Sequence, residues 1–142
     1  MYKRQGCGTL GLPLLKGLSK LTAAESDTTA LAAMKAAVDA AGLGARLHCV
    51  EADLMRAPLT AEWFGDVEAV IIDPPRAGAS AQCEILAATA VPAIAMVSCN
   101  PASFARDAAI LVAGGYRLTS LKIIDQFRFS SHVEIVAGLE RG

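Results

Sequence analysis

The chain has 142 residues, 54% of them hydrophobic, 19% charged and 5% aromatic, a balance that excludes a disordered tail, a collagen-like repeat and a disulfide-built miniprotein and fits one globular domain. Lys and Arg number 13 against 14 Asp and Glu, a net charge of -1, so no basic field points to nucleic acid, and any such contact must be local or supplied elsewhere. Lys16, Lys20, Glu25, Asp27 and Lys35 interrupt the most apolar third, so no membrane span is expected.

In chain order, Gly6-Cys7-Gly8-Thr9-Leu10-Gly11 is a G-x-G-x-x-G string, followed by a short apolar stretch that Pro13 can open as a helix. Residues 20–25 read as a strand ending in an acid, after which Thr28 is the expected cap of a helix carrying Leu31, Met34, Val38 and Ala41 at helical spacing, with Gly42 as its stop. A second strand at 46–50 leads into a polar connection. The strongest strand is 67–72, β-branched and cut off by Asp73-Pro74-Pro75, since two prolines cannot continue a ladder. A helix at 81–90 and a strand at 93–97 follow. Asn100 and Pro101 then start a helix as cap and first residue, and Gly114-Gly115 end it. Strands at 116–125 and 132–139 are joined by six residues, 126–131, which requires an antiparallel hairpin. The order predicts an α/β fold: a mostly parallel sheet, covered on both faces, with one reversed strand.

In such a sheet ligands bind beyond the carboxyl ends of the strands. Glu25, Asp53, Asp73 and Cys99 are all expected there. Glu25 follows Gly8 at close to the spacing of about 20 residues at which an acid meets a nucleotide ribose while glycines admit the cofactor to the backbone. The pairing suggests an adenosine-containing cofactor without choosing NAD or S-adenosylmethionine; a capping acid and a plain turn are the alternative. Asp73-Pro74-Pro75-Arg76 presents a carboxylate at a cleft on a backbone that cannot rejoin the sheet. Cys99 precedes a Pro-started helix, whose N–H groups and dipole favour a thiolate. Cys7, Cys49 and Cys83 read as inert fillers. With no C-x-x-C pair and no signal peptide before them, the four cysteines are expected as reduced thiols of a cytoplasmic protein. If the last strand is the reversed one, it brings His132 and Glu134 to the edge where Cys99 stands. Glu134 lies in an otherwise apolar strand and needs a function or a partner, Arg128 and Arg106 being the available cations.

These strings together resemble a known family. Asp73-Pro74-Pro75-Arg76-Ala77-Gly78, Val97-Ser98-Cys99-Asn100-Pro101-Ala102-Ser103-Phe104-Ala105-Arg106-Asp107, Asp125-Gln126-Phe127 and His132-Val133-Glu134 are similar, in order, to the signatures of the RNA uracil-5-methyltransferases. The resemblance runs from about Gly6 to the C-terminus. It implies a Rossmann-like class I methyltransferase sheet with a C-terminal antiparallel hairpin, S-adenosylmethionine as cofactor, and structured RNA, either transfer RNA or 23S ribosomal RNA, as the partner. It assigns Cys99 as the nucleophile that attacks C6 of uracil and Glu134 as the base that removes the C5 proton. It assigns Gly6, Gly8 and Glu25 to the cofactor loop and ribose, Asp53 to a position near the adenine, and Asp73 to the wall of the cofactor and base pocket.

The family's catalytic domain normally begins with a strand and an Asp before the glycine loop, preceded by base-holding residues and an RNA-binding OB-like domain. None of these is in the sequence, and Met1–Gln5 has no family counterpart, resembling instead what one frame of a sequencing-library transposon end encodes. The expectation is therefore a leader at 1–5 and an incomplete catalytic domain at 6–142, truncated before its first strand, monomeric, without metal, and with little activity of its own. Competing readings are an NAD-linked oxidoreductase domain built on the G-x-G-x-x-G loop, a cysteine hydrolase using Cys99 with His132, and a non-catalytic scaffold. The first leaves the Asp73 and Cys99 strings unexplained, and the second lacks an evident oxyanion loop.

Overall fold

The computed structural model describes residues 8–125 and 133–142; Gly6, Cys7, His132 and the connection 126–131 lie outside the described residues. Between Ala57 and Pro58 the chain divides into two compact units.

The first unit opens with a 3-10 turn, Leu12–Gly17, begun by Pro13 and buried at Leu15. The short helix expected after Gly11 is thus present in its tighter form. Strand β1 (Leu21–Glu25), helix α1 (Thr28–Ala40) and strand β2 (Leu47–Glu51) follow, and the strands pair in parallel from Leu21 with Leu47 to Glu25 with Glu51. A parallel pair needs a crossover, and α1 supplies it, burying the stripe Leu31, Met34 and Val38 that the sequence spacing set out. The cap of α1 is corrected by one residue. Asp27 holds the extended backbone of an N-cap, and its carboxylate accepts from the N–H groups of Thr29 and Ala30 at 2.9 and 3.1 Å, so Thr28 is already helical.

The second unit holds a four-stranded sheet in the order β3-β4-β6-β5: β3 (Ala69–Ile72), β4 (Ala93–Ser98), β5 (Tyr116–Ile124) and β6 (Glu134–Arg141), with helices α2 (Ser80–Ala87) and α3 (Pro101–Ala113) between them. β3 and β4 are parallel, whereas β6 is antiparallel to both β4 and β5. The last strand is therefore the reversed one, which meets the condition for bringing Glu134 to the edge where Cys99 stands. β3 starts later than the sequence suggested because the Val67 N–H is held by the Phe64 carbonyl in a turn. α2 ends earlier because both the N–H and the hydroxyl of Thr89 donate to the Leu86 carbonyl. Asn100 caps α3 and Pro101 is its first residue, as the sequence required.

Alternation along the strands decides which residues form the core. Ile94, Met96 and Ser98 on β4 pair with Leu139, Ala137 and Ile135 on β6, all buried on one face. Cys83 and Leu86 from α2, Leu111 from α3 and Tyr116 from β5 close over that face, as successive right-handed crossovers running in one direction require. Within this unit α2 and α3 pack on the core face, and the other face, carrying Ile71, Ala95, Val97 and Val136, is partly buried. The strands are hydrogen-bonded as two sheets: among the described residues β1 is paired to β2 alone and β3 to β4 alone.

Arg141 at the end of β6 fastens the helix ends. Its guanidinium donates to the carbonyls of Ala87 at 3.1 Å and Gly114 at 2.9 Å, so one cation serves the carboxyl ends of both α2 and α3.

Candidate functional site

In the first unit the acid at the end of β1 is held rigidly. Glu25 is buried, and its Oε1 accepts from the Ser26 N–H at 2.7 Å, the Asp27 N–H at 3.1 Å and the Ser26 hydroxyl at 3.2 Å. Two consecutive N–H groups aimed at one carboxylate oxygen settle the buried charge at low cost. The side chain borders a small hollow lined by Ala24, Ser26, Ala52 and Leu54. Asp53 follows two residues after β2 in a turn, exposed, its Oδ1 accepting from the Met55 N–H at 3.1 Å. Gly8 has φ +81, and its carbonyl accepts from the Leu12 N–H at 2.8 Å. A Cβ there would strike the Leu12 side chain, so the loop has a real need for glycine. Gly6 lies outside the described residues.

The second unit gathers three sequence-marked residues at one sheet edge. Asp73 is the first residue beyond β3, Cys99 the first beyond β4, and Glu134 the first residue of β6. The antiparallel register pairs Ser98 with Ile135, and its next step sets Cys99 opposite Glu134. The parallel register pairs Ile72 with Met96, so Asp73 comes alongside Val97 at the same edge. Cys99 is partly buried and stands immediately before the cap of α3. Its companions differ in kind. Cys83 is wholly buried, and burial above all, then the negative charge of Asp107, pushes its thiol up to about 12, so it is an inert filler. Cys49 is partly buried on β2. His132 lies outside the described residues.

Of the two cations available to Glu134, Arg128 lies outside the described residues and Arg106 is engaged elsewhere. Arg106 donates through Nε and Nη2 to Asp107 Oδ1 at 2.9 and 2.7 Å, and through Nη2 to the Ala77 carbonyl at 2.8 Å. Asp107 is buried, and its other oxygen accepts from the Ala79 N–H at 2.6 Å. Gly78 lies between these two anchors with φ +82, where a Cβ would meet both the guanidinium and the carboxylate. Asn100 Nδ2 donates to the Arg76 carbonyl at 2.9 Å while Oδ1 accepts the Ala102 N–H. The loop after Asp73 is therefore tied at Arg76, Ala77 and Ala79. The sequence assigned Asn100 its cap but not its bond to Arg76, and it assigned neither Arg106 nor Asp107 to the loop. A signal for Asp107 was present: with Ser103 and Leu111 it forms the buried stripe of α3 at steps of four, and a buried carboxylate needs partners.

Among the described residues no helix is long and apolar enough to cross a membrane.

Residues 61–141 match the family described as tRNA (Uracil-5-)-methyltransferase. The chain is 44% identical over 137 residues to an uncharacterized RNA methyltransferase of Rhizobium meliloti, covering 96% of the chain and 32% of that protein. It is 40% identical over 139 residues to the 23S rRNA (uracil(1939)-C(5))-methyltransferase RlmD of Pseudomonas fluorescens, covering 95% of the chain and 29% of that protein. The chain thus spans about a third of the length of these curated relatives. In fold it is similar to the magnesium protoporphyrin IX methyltransferase of Synechocystis, solved with bound SAM, at TM-score 0.71 and 18% identity, covering 97% of this chain and 67% of that one.

Proposed function

The chain belongs to the tRNA (Uracil-5-)-methyltransferase family, and from that premise we propose that it carries the reaction centre of an enzyme methylating C5 of a uridine in structured RNA, 23S ribosomal or transfer RNA, with S-adenosylmethionine as cofactor. One observation carries the reading: the β4–β6 register brings a cysteine and a carboxylate opposite one another just past the last ladder pair. The alternative built on NAD uses neither group.

The residues of the first unit fit the cofactor's adenosine. Oε1 of Glu25 is committed to backbone donors, which leaves Oε2 to accept from ribose hydroxyls at the ends of β1 and β2. Gly8 admits close approach to the backbone, and Asp53 takes the position near the adenine. S-adenosylmethionine, when bound, supplies the electrophilic methyl group that C5 takes up.

C5 of uracil is a poor nucleophile, and the proposed task of Cys99 is to change that. Its thiolate adds to C6, moving the C5–C6 electron pair into an enolate that makes C5 nucleophilic. Once C5 carries the methyl group, Glu134 removes the remaining C5 proton. The electrons of that C–H bond restore the C5–C6 double bond and expel the Cys99 thiolate. Asp73 lines the pocket in which the base lies, and the base must leave its stack to reach a thiol there.

RNA containing 5-fluorouridine tests the reading, because fluorine at C5 cannot leave as a proton and the Cys99 adduct persists. The uninterrupted gene product containing this chain, assayed beside the 142-residue chain itself, is expected to form a denaturant-stable RNA adduct that Cys99→Ala abolishes. Glu134→Gln should retain adduct with ordinary uridine while losing turnover. An adduct unchanged in Cys99→Ala, or none from a folded gene product, overturns the proposal. The chain alone spans about a third of its relatives, and little methyl transfer is expected from it.

A further inference from the structure

Asn100 does two jobs with one side chain. Its Oδ1 accepts the Ala102 N–H at 3.0 Å, the ordinary work of an N-cap, while its Nδ2 donates to the Arg76 carbonyl at 2.9 Å across 24 positions of chain. Its backbone is equally committed: the carbonyl accepts from the hydroxyls of Ser98 and Ser103 and from the Phe104 N–H, and its N–H donates to the Ser98 hydroxyl. Ser98 and Ser103 are both buried. The residue next to Cys99 is therefore fixed to α3 on one side and to the loop that follows Asp73 on the other.

The rest of that loop has its own anchors. Asp107 holds the Ala79 N–H and Arg106 the Ala77 carbonyl, and both grip the loop's far end. The link from Arg76 to Asn100 reaches the cysteine turn itself. Capping alone does not explain the choice of Asn, because Ser and Asp cap as well but carry no donor able to reach a second carbonyl while accepting from the helix.

We propose that Asn100 is a positioning residue: it ties the Asp73-Pro74-Pro75-Arg76 turn to the Cys99 turn and so sets the opening in which the thiol meets the base. The tie is a matter of this structure alone; its consequence for the reaction rests on the function proposed above.

The test separates capping from tying. Asn100→Ser keeps a neutral cap acceptor and loses the bond to Arg76, and Asn100→Asp does the same with a charged cap. In the 142-residue chain, amide exchange at Gly78, whose N–H is held by the Pro75 carbonyl in the turn that contains Arg76, is expected to rise about tenfold in both variants while exchange within α3 stays as it is. Alkylation of Cys99 by iodoacetamide, read by peptide mass, should change about threefold or more in Asn100→Ser. In the gene product that forms the 5-fluorouridine adduct, the rate constant of adduct formation should fall about tenfold at unchanged RNA affinity, a split that lost stability does not produce. Unchanged loop exchange in both variants overturns the tie. Faster exchange with unchanged Cys99 alkylation and unchanged adduct rate overturns the positioning role. If the parent protein forms no adduct, the proposed function fails, and loop exchange together with alkylation of Cys99 still decides for or against the role of Asn100.

Discussion

The guanidinium carbon of Arg141 lies 4.3 Å from the centre of the Tyr116 ring, and the Tyr116 hydroxyl donates to the Val91 carbonyl at 2.7 Å. The cation thus sits on an aromatic face while its nitrogens close the ends of α2 and α3. Removing it takes away the donors that the Ala87 and Gly114 carbonyls accept from. Arg141→Ala is expected to cost about 2 to 4 kcal/mol in urea unfolding. Arg141→Lys should recover less than half of that, since one ammonium cannot span two helix ends. A loss below about 0.5 kcal/mol would show the staple to be idle.

The cap of α1 makes a sharp pair of variants. Asp27→Ala removes the acceptor used by Thr29 and Ala30 and should destabilise the chain by about 1 kcal/mol. Thr28→Ala, one residue on and already helical, should change stability by less than about 0.5 kcal/mol. The reverse order in a denaturation series would restore the cap to Thr28.

Cys83 gives the folded state a defined alkaline liability. Burial, reinforced by the charge of Asp107, raises its thiol to about 12, while the unfolded chain releases that proton near pH 8.5. The folded state therefore keeps a proton that the unfolded state gives up. The contribution is complete below about pH 8.5 and is lost as pH rises toward 12, at up to about 1.4 kcal/mol per unit. Between about pH 8 and pH 10 the parent chain should lose about 1 to 2 kcal/mol more than Cys83→Ala, whatever the variant's absolute stability. Parallel urea midpoints for the two proteins would contradict this.

Glu25 is the residue through which the proposed cofactor reading is tested without RNA. Glu25→Gln is expected to weaken S-adenosylhomocysteine binding about 10- to 100-fold in calorimetry, because a charged acceptor facing ribose hydroxyls becomes a neutral one and the backbone cradle of Ser26 and Asp27 loses its anion. Asp53→Asn, with an exposed side chain, should have a smaller effect. Equal affinity in parent and Glu25→Gln removes Glu25 from the cofactor site.

Local chemistry made much of this legible from residues alone. Two prolines after a β-branched run could only end β3, Asn-Pro could only start α3, and the short connection expected between the last two strands could only make β5 and β6 antiparallel. Those constraints act within a few bonds of the residues that impose them, and from them the common edge of Asp73, Cys99 and Glu134 followed. The family strings rest on the same short-range order.

Tertiary structure decided what depends on partners distant in sequence. It moved the cap to Asp27, bound Arg106 to Asp107 and the Ala77 carbonyl, divided the hydrogen-bonded strands into two sheets, and gave Asn100 a second bond to Arg76. A polar side chain satisfies its hydrogen bonds with whichever group the fold brings within about 3 Å. That choice is made by packing between elements, so the sequence could name the reactive residues at the sheet edge while the structure alone showed what holds them there.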